Sequence, residues 1–355
     1  MNNPSVVIAL DAMGGDAGPD AVVPAALQAL HLYPHLQLIL VGNQTILDAS
    51  LRKYHGVNCP RLEVLHASEI VAMDDKPSLA LRNKKDSSMR VAINLVKEGK
   101  AQACVSSGNT GALMATAKFV LKTLPGIDRP AIMARFPTIK KNTLVRVLDL
   151  GANVDSTAKH LLQFALMGTV VAKTVGHVAK PSVGLLNIGE EEMKGNSLVQ
   201  ETTALLDHCP GIHYIGYVEG DDIFKGAADI VVCDGFVGNV MLKTTEGVLT
   251  MLSKYVKDAF MQNWLSKLAA LLIMPIVKKI GKSLDPREYN GASLLGLNGI
   301  VVKSHGSANQ KSFLSAIREA MEEVEHNVPS LLREEITELF HLQADTVIES
   351  APQLA

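Results

Sequence analysis

Aromatic residues make up only 4% of this 355-residue chain, which has a single tryptophan. That leaves little surface on which unpaired bases could stack. A net charge of −2 supplies no global basic field, so nucleic acid is not an expected partner. Cysteine is scarce too. Cys59, Cys104, Cys209 and Cys233 form no CxxC pair, and Cys104 and Cys233 lie in apolar strand-like runs, so buried reduced thiols are expected. The most apolar uncharged run, Leu268–Val277, is too short to span a bilayer. Val6–Leu10 reads as a strand with no basic, then apolar, leader before it, which predicts a cytoplasmic protein without a signal peptide. There is no G-x-G-x-x-G dinucleotide fingerprint and no G-x-x-x-x-G-K-[ST] triphosphate loop. A G-x-S-x-G nucleophile elbow is also missing.

What is present is a repeated junction. A composition 47% hydrophobic and 20% charged is that of a folded chain with a sizeable core. Ten strand-like runs, from Val6–Leu10 to Ile300–Lys303, alternate with helix-like segments such as Ser87–Glu98, Thr110–Leu121 and Thr157–Val175. Alternation of this kind predicts a largely parallel sheet covered on both faces. Six of the runs end in a small-residue loop before a helix: Asp11–Asp16, Ser106–Gly111, Asp149–Asn153, Gly189–Gly195, Cys233–Asn239 and Lys303–Ser307. A parallel sheet gathers such loops along one edge, where helix N-termini offer free N–H groups to an anion. An enzyme with phosphate or another oxyanion in its site is the expectation.

The loops differ in what they offer. Gly14 and Gly15, between Asp11 and Asp16, permit positive φ or close backbone approach, though a plain tight turn would use them too. Ser107-Gly108-Asn109-Thr110-Gly111 places hydroxyl and amide donors at a helix entrance, where Asn109 or Thr110 also suits an N-cap. Lys194 lies between Gly189 and Gly195 beside three glutamates. It is either a solvated charge or a point charge for phosphate or a developing oxyanion. The glutamates lack a His or Asp at ligand spacing, so no metal is expected. After Cys233, Asp234 suits orientation of a partner and Asn239 suits donation to an oxyanion, with Gly235 and Gly238 between them. Lys303 and His305 lie between a strand and a helix, where His305 is either functional or an exposed structural residue.

One segment is of another kind. Lys254–Lys282 holds six lysines against one acid, Asp258. Trp264, Leu265, Leu268, Leu271 and Leu272 share one helical face. Pro275 should break or kink that helix, with Ile276 beyond it. A core or dimer-contact helix is one reading. A single Trp with a basic rim fits an interfacial membrane segment, with Trp264, Leu268, Leu271, Leu272 and Ile276 in contact with lipid.

Taken in order, these loops resemble the bacterial phosphate acyltransferase family, the PlsX-type acyl-carrier-protein:phosphate transacylases. The matching segments are Leu10–Asp16, Ser107–Met114, Leu150–Asp155, Leu186–Glu191, Asp234–Val240, Tyr289–Ala292 and Lys303–Gly306, and the likeness runs from about Val6 to Val328. It implies transfer of an acyl group from acyl carrier protein to inorganic phosphate. The acyl phosphate then feeds a membrane glycerol-3-phosphate acyltransferase at the start of phospholipid synthesis. It further implies a three-layer α/β/α fold with a large, mostly parallel sheet, like that of phosphate acetyltransferases and isocitrate/isopropylmalate dehydrogenases. A homodimer, peripheral attachment to anionic membrane and no cofactor complete the picture.

Joined to the loop reading, the likeness gives a site. Lys194, Asn239, His305 and Lys303 are the catalytic candidates. Asp11, Gly14, Gly15, Asp16, Ser107, Gly108, Asn109, Thr110, Gly111, Asn153, Asp234, Gly235 and Gly238 are the candidates for binding substrate or phosphate. Phosphate is expected at the helix starts after Gly108 and Gly238 and near Lys194. The chain is expected to form one catalytic domain over residues 1–344, with a long helix and amphipathic hairpin over 240–282 and a disordered tail over 345–355. Two rivals are a short-chain phosphate acetyltransferase using acyl-coenzyme A and a membrane-associated scaffold. A third, a decarboxylating dehydrogenase, would need a carboxylate metal site and an adenine-nucleotide pocket, and neither pattern is found.

Overall fold

The computed structural model describes residues 5–191, 193–264, 266, 267, 270, 273 and 290–349. Among them, eleven strands form one sheet. They are β1 (Val6–Asp11), β2 (Leu36–Gly42), β3 (Leu62–His66), β4 (Ala103–Ser106), β5 (Ala131–Pro137), β6 (Leu144–Leu148), β7 (Ser182–Leu186), β8 (His213–Val218), β9 (Ile230–Val232), β10 (Ala292–Leu295) and β11 (Ile300–Lys303). Their spatial order is β3-β2-β1-β4-β11-β10-β5-β6-β9-β7-β8.

Side-chain alternation along each strand builds the three layers. Ile8 and Leu10 of β1 face the helices Pro19–Leu32 and Gln310–Glu325, packing with Val22, Ala26, Phe313 and Ile317. Ala9 faces the other way, toward Met89, Ile93 and Leu113 of the helices Ser88–Lys97 and Thr110–Leu121. In β9, Ile230 and Val232 pack under Phe164 and Val171 of the helix Ala158–Thr174, and Val231 points to the opposite face. Each fully buried Leu, Ile, Val or Phe contributes roughly 1.5–3 kcal/mol, which is why the central strands read as unbroken apolar runs.

The expected single edge of strand carboxyl ends is corrected. β3, β2, β1, β4 and β11 run parallel to one another. β10 is antiparallel to both β11 and β5, and β5 is antiparallel to β6. β6, β9, β7 and β8 are again mutually parallel. The sheet is therefore mostly parallel, as expected, but its two parallel blocks run in opposite senses. Apolar periodicity reports which residues are buried and says nothing of strand direction. The element that permits the reversal, β10, is only four residues long and escapes a reading based on apolar runs. Val302, Ser293, Met133, Leu148 and Val232 lie side by side in one row. From that row β11 leads to one edge and β6 to the other. β11 ends one residue past that row and β6 ends on it, so the two sets of carboxyl ends meet at nearly the same level, offset sideways by three strand spacings, about 14 Å.

The last helix is Val328–Glu349, which takes in residues 345–349 of the expected tail. Residues 350–355 lie outside the described residues.

Candidate functional site

At the first edge, the loops after β1, β4 and β11 close on one another. Asp11 is buried at the end of β1. It accepts hydrogen bonds from the hydroxyls of Ser88 and Ser106, both at 2.6 Å, and from the Met13 N–H at 3.4 Å. Burial raises its pKa, and these donors pull the other way. Gly14 packs so tightly on this carboxylate that a Cβ there would sit 2.5 Å from Asp11 Oδ2 and 2.8 Å from the Gly108 nitrogen. Gly15, at φ +78°, would place a Cβ 2.6 Å from Ser107 Oγ. Ser107 donates to the Gly14 carbonyl at 2.8 Å, and the Asp16 N–H donates to the Gly306 carbonyl at 2.9 Å. Asp11, Gly14, Gly15 and Asp16 thus hold the frame of the site rather than face outward as a set.

The helix Thr110–Leu121 starts inside this frame. Asn109 caps it, accepting from the Ala112 N–H at 2.9 Å, while its amide donates to the carbonyls of Met73 and Asp75. Both readings of Asn109 therefore meet at its cap. The Gly108 N–H is held by Ser106 Oγ at 3.1 Å. Because the first turn of a helix has no internal acceptors, the exposed N–H groups of Thr110 and Gly111 are left without an acceptor among the described residues. Lys303, buried at the end of β11, donates to the carbonyls of Ser107 (3.3 Å) and Ser304. Burial, and then the nearby Lys243, bring its pKa down to about 8, with Asp11, Asp16 and Glu246 opposing. One ammonium proton has no acceptor among the described residues.

At the second edge, Asp149 plays the part of Asp11. It accepts from the N–H groups of Ile132 (2.9 Å), Ala152 (3.0 Å) and Asn153 (2.7 Å) and from the Asn153 amide (3.0 Å). Asn153 also donates to the Pro130 carbonyl. The helix Gly235–Met261 begins here, and its first amides are occupied. Gly235 N–H donates to the Asn153 carbonyl at 2.9 Å, Phe236 and Val237 donate to Asp234 Oδ1, and Gly238 donates to the Asp234 carbonyl. Asp234 is thus a cap. Gly235 and Gly238 serve close approach to the Asp149 loop: a Cβ on Gly235 would lie 2.6 Å from Asp149 Oδ2, and one on Gly238 would collide with the Asp149 carbonyl. Cys233 is buried, and burial drives its thiol pKa well up.

The helix Gly235–Met261 joins the edges. Asn239 lies against Gly151, whose Cβ would be 3.2 Å from Asn239 Cβ. One and two turns on, Lys243 and Glu246 meet His305 at the first edge, with Nε2 at 3.4 Å from each. At 1.5 Å rise, the eight to eleven residues from Gly235 or Gly238 to Glu246 span ~12–17 Å, matching the separation of the edges. Asn239, Lys243 and Glu246 are spaced i, i+4, i+7 and share a face. His305 Nδ1 accepts from the Ser307 N–H at 3.2 Å, and Nε2 faces both Glu246 and Lys243. Burial would raise the Glu246 pKa, but His305 and Lys243 outweigh it and hold it at about 2. Asn290 fixes the same loop, accepting from the His305 N–H at 3.0 Å and donating to Ser304 Oγ and the Ser312 carbonyl at 2.7 Å.

Lys303, His305, Ser107, Thr110 and Gly111 therefore belong to one edge; Asn239 lies against Gly151 at the other, on the helix face whose Lys243 and Glu246 reach His305. Lys194 belongs to the second edge, where its ammonium pairs with Glu191 at 2.7 Å and Asn187 donates to the carbonyls of Gly189 and Lys194 across the base of the loop. Lys243 and Glu246 escaped the sequence reading, and Ser106 and Asp149 were read as loop ends and not as site residues. The helical spacing of Asn239, Lys243 and Glu246 was the available signal for the first two. Trp264 is 70% exposed. Leu268, Leu271, Leu272 and Ile276 lie outside the described residues. No helix among the described residues is long and apolar enough to cross a membrane.

Comparison with known proteins places this geometry in a class. Residues 6–331 match the family model described as fatty acid synthesis protein. The chain is 56% identical over 337 residues to a phosphate acyltransferase of Legionella pneumophila (strain Paris), covering 95% of this chain and 98% of that one. A phosphate acyltransferase of Coxiella burnetii (strain Dugway 5J108-111) is 57% identical over 336 residues, covering 94% and 97%. Among solved structures, a phosphotransacetylase from Streptococcus pyogenes superposes with a TM-score of 0.57 at 18% identity, covering 91% and 94%. A branched-chain phosphotransacylase from Enterococcus faecalis gives 0.56 at 17%, covering 89% and 99%. These structural likenesses establish the fold, that of the phosphotransacylases. The chain belongs to the PlsX-type phosphate acyltransferase family, as the resemblance of its ordered loops implied.

Proposed function

We propose that this enzyme transfers a long-chain acyl group from the thioester of acyl carrier protein to inorganic phosphate, releasing acyl phosphate for phospholipid synthesis. The observation that carries this reading is the first edge. Two unoccupied helix N-terminal amides, a buried ammonium and an imidazole there suit a small anion. Phosphate bound at Thr110, Gly111 and Lys303 attacks the thioester carbonyl. A C–O bond forms, a tetrahedral oxyanion develops, and its collapse breaks the C–S bond and expels the carrier thiolate. Asn239, and Lys194 from the neighbouring loop, are assigned to the oxyanion, since preorganised donors to such charge are usually the largest contribution. His305, held by Ser307 and Glu246, orients phosphate or protonates the departing thiolate. Free thiol should appear on adding phosphate to acyl-loaded acyl carrier protein and enzyme, without nucleotide or metal. A strict need for a nicotinamide cofactor would exclude this reading.

The exposed apolar residues Met251, Leu252, Tyr255, Val256 and Trp264 on and after the long helix support peripheral attachment to anionic membrane. A homodimer would present two such segments and strengthen attachment by avidity. Attachment would also deliver acyl phosphate to a membrane glycerol-3-phosphate acyltransferase.

A further inference from the structure

The segment Lys76–Lys122 holds nine lysines and arginines against two acids, Asp86 and Glu98, in a chain whose net charge is −2. It folds as the helices Pro77–Asn83, Ser88–Lys97 and Thr110–Leu121 around β4, and the first two both pack on the third. Two of its cations are neutralised locally: Lys84 by Asp75 at 2.6 Å and Lys100 by Glu98 at 2.8 Å. Arg82, Lys85, Arg90, Lys118 and Lys122 have no carboxylate within ion-pair distance among the described residues. On the third helix Phe119 is 54% exposed. The Arg90 Cζ lies 5.2 Å and the Lys122 Nζ 4.8 Å from its ring centroid.

An exposed aromatic beside an arginine has the composition of an interface anchor, and the helix carrying Arg82 packs on the helix carrying Phe119. Unpaired cations of one sign also steer an oppositely charged partner before contact. The patch has a defined relation to the chemistry. Phe119 is nine residues from Thr110 on the same helix, about 14 Å along its axis. A partner seated on the patch thus lies one helix length from the anion site, and a thioester on a flexible arm could reach it. A nucleic acid or lipid surface would gain nothing from that placement.

We propose that the face formed by Arg82, Lys85, Arg90, Lys118, Phe119 and Lys122 is the docking surface for the acyl carrier protein, engaged through an acidic patch on the carrier. The proposal rests on the acyl-transfer reading above. None of the six residues belongs to the reacting site.

The test is steady-state kinetics with two donors carrying the same acyl chain, one on the carrier protein and one on uncharged pantetheine. Arg82→Glu with Lys85→Glu and Lys122→Glu should raise KM for the carrier-borne substrate at least about tenfold, with kcat and pantetheine turnover unchanged. Rising salt should weaken carrier use by the wild type and have little effect on the variant. The charge-conserving Arg82→Lys with Lys85→Arg should behave as wild type. Phe119→Ser should raise carrier KM alone. An unaltered carrier KM in the triple variant, or equal losses with both donors in a folded protein, overturns the docking face and leaves the acyl-transfer reading in place. A wild type that consumes neither thioester in phosphate overturns both.

Discussion

Asp11 and Asp149 are one device used in both parallel blocks of the sheet. Each is a buried aspartate at a strand end, each gathers donors from the following loops, and each has a glycine pressed against its Oδ2. What surrounds them differs. Around Asp149 the amides of Gly235, Phe236, Val237 and Gly238 are all occupied, and Lys194 is paired with Glu191. Around Asp11 the amides of Thr110 and Gly111 and one proton of Lys303 are left over. Two loops of similar composition thus have different capacities for an anion. A helix N-terminus attracts charge only when its own cap has not used it.

The sharpest way to break this comparison is Lys303→Met. If the first edge holds phosphate, turnover should fall by roughly 10²–10³, the range for losing one preorganised donor to a charged centre. The wild type carries its own control. The Lys303 pKa is lowered to about 8, so the ammonium is present below that pH and lost above it. Phosphate affinity should therefore weaken as pH rises through about 8, and Lys303→Met should abolish that dependence. An unchanged phosphate KM across this range would remove Lys303 from the site.

Next in size are Asn239→Ala and Lys194→Ala, each expected to lower turnover at least about tenfold with the fold intact. Should Lys194→Ala prove more damaging than Lys303→Met, the order of the two edges is reversed. Circular dichroism on the same samples separates lost chemistry from lost structure.

Stability offers a third comparison. Gly14→Ala and Gly235→Ala each force a Cβ into a carboxylate and a backbone atom, and overpacking of this kind costs about 1–3 kcal/mol. Both should lower Tm. If either variant melts with the wild type, that glycine is not at a close approach.

The smallest effect concerns the membrane. Trp264 is the only tryptophan and is exposed, so its fluorescence should shift to the blue with anionic vesicles and remain unchanged with neutral ones at high salt. Leu268→Glu with Leu272→Glu should remove the shift and leave soluble activity in place. A double variant that still floats with vesicles would show that the segment is not the anchor.

Much of the layering was legible in the chain. The strand runs were placed to within a few residues because central strands are apolar on both faces. The helix Thr110–Leu121 begins and ends at the residues expected, and Asn109 caps it with its own side chain. The ordered loops also sufficed to identify the family. Strand direction was not legible, because a residue's burial is the same whichever way its strand runs. β10 was missed because four residues carry too little periodicity. Lys243 and Glu246 were missed because a mid-helix charge looks solvated until the fold brings His305 against it. The sequence by itself determined which segments are buried, where helices start and which family the chain belongs to, all of them local or cumulative properties of residue type. Only the tertiary structure decided which loops share an edge and which helix amides stay free. Those outcomes depend on non-local hydrogen bonds, such as Asn153 to Gly235 and Glu246 to His305, between residues 82 and 59 positions apart in the chain.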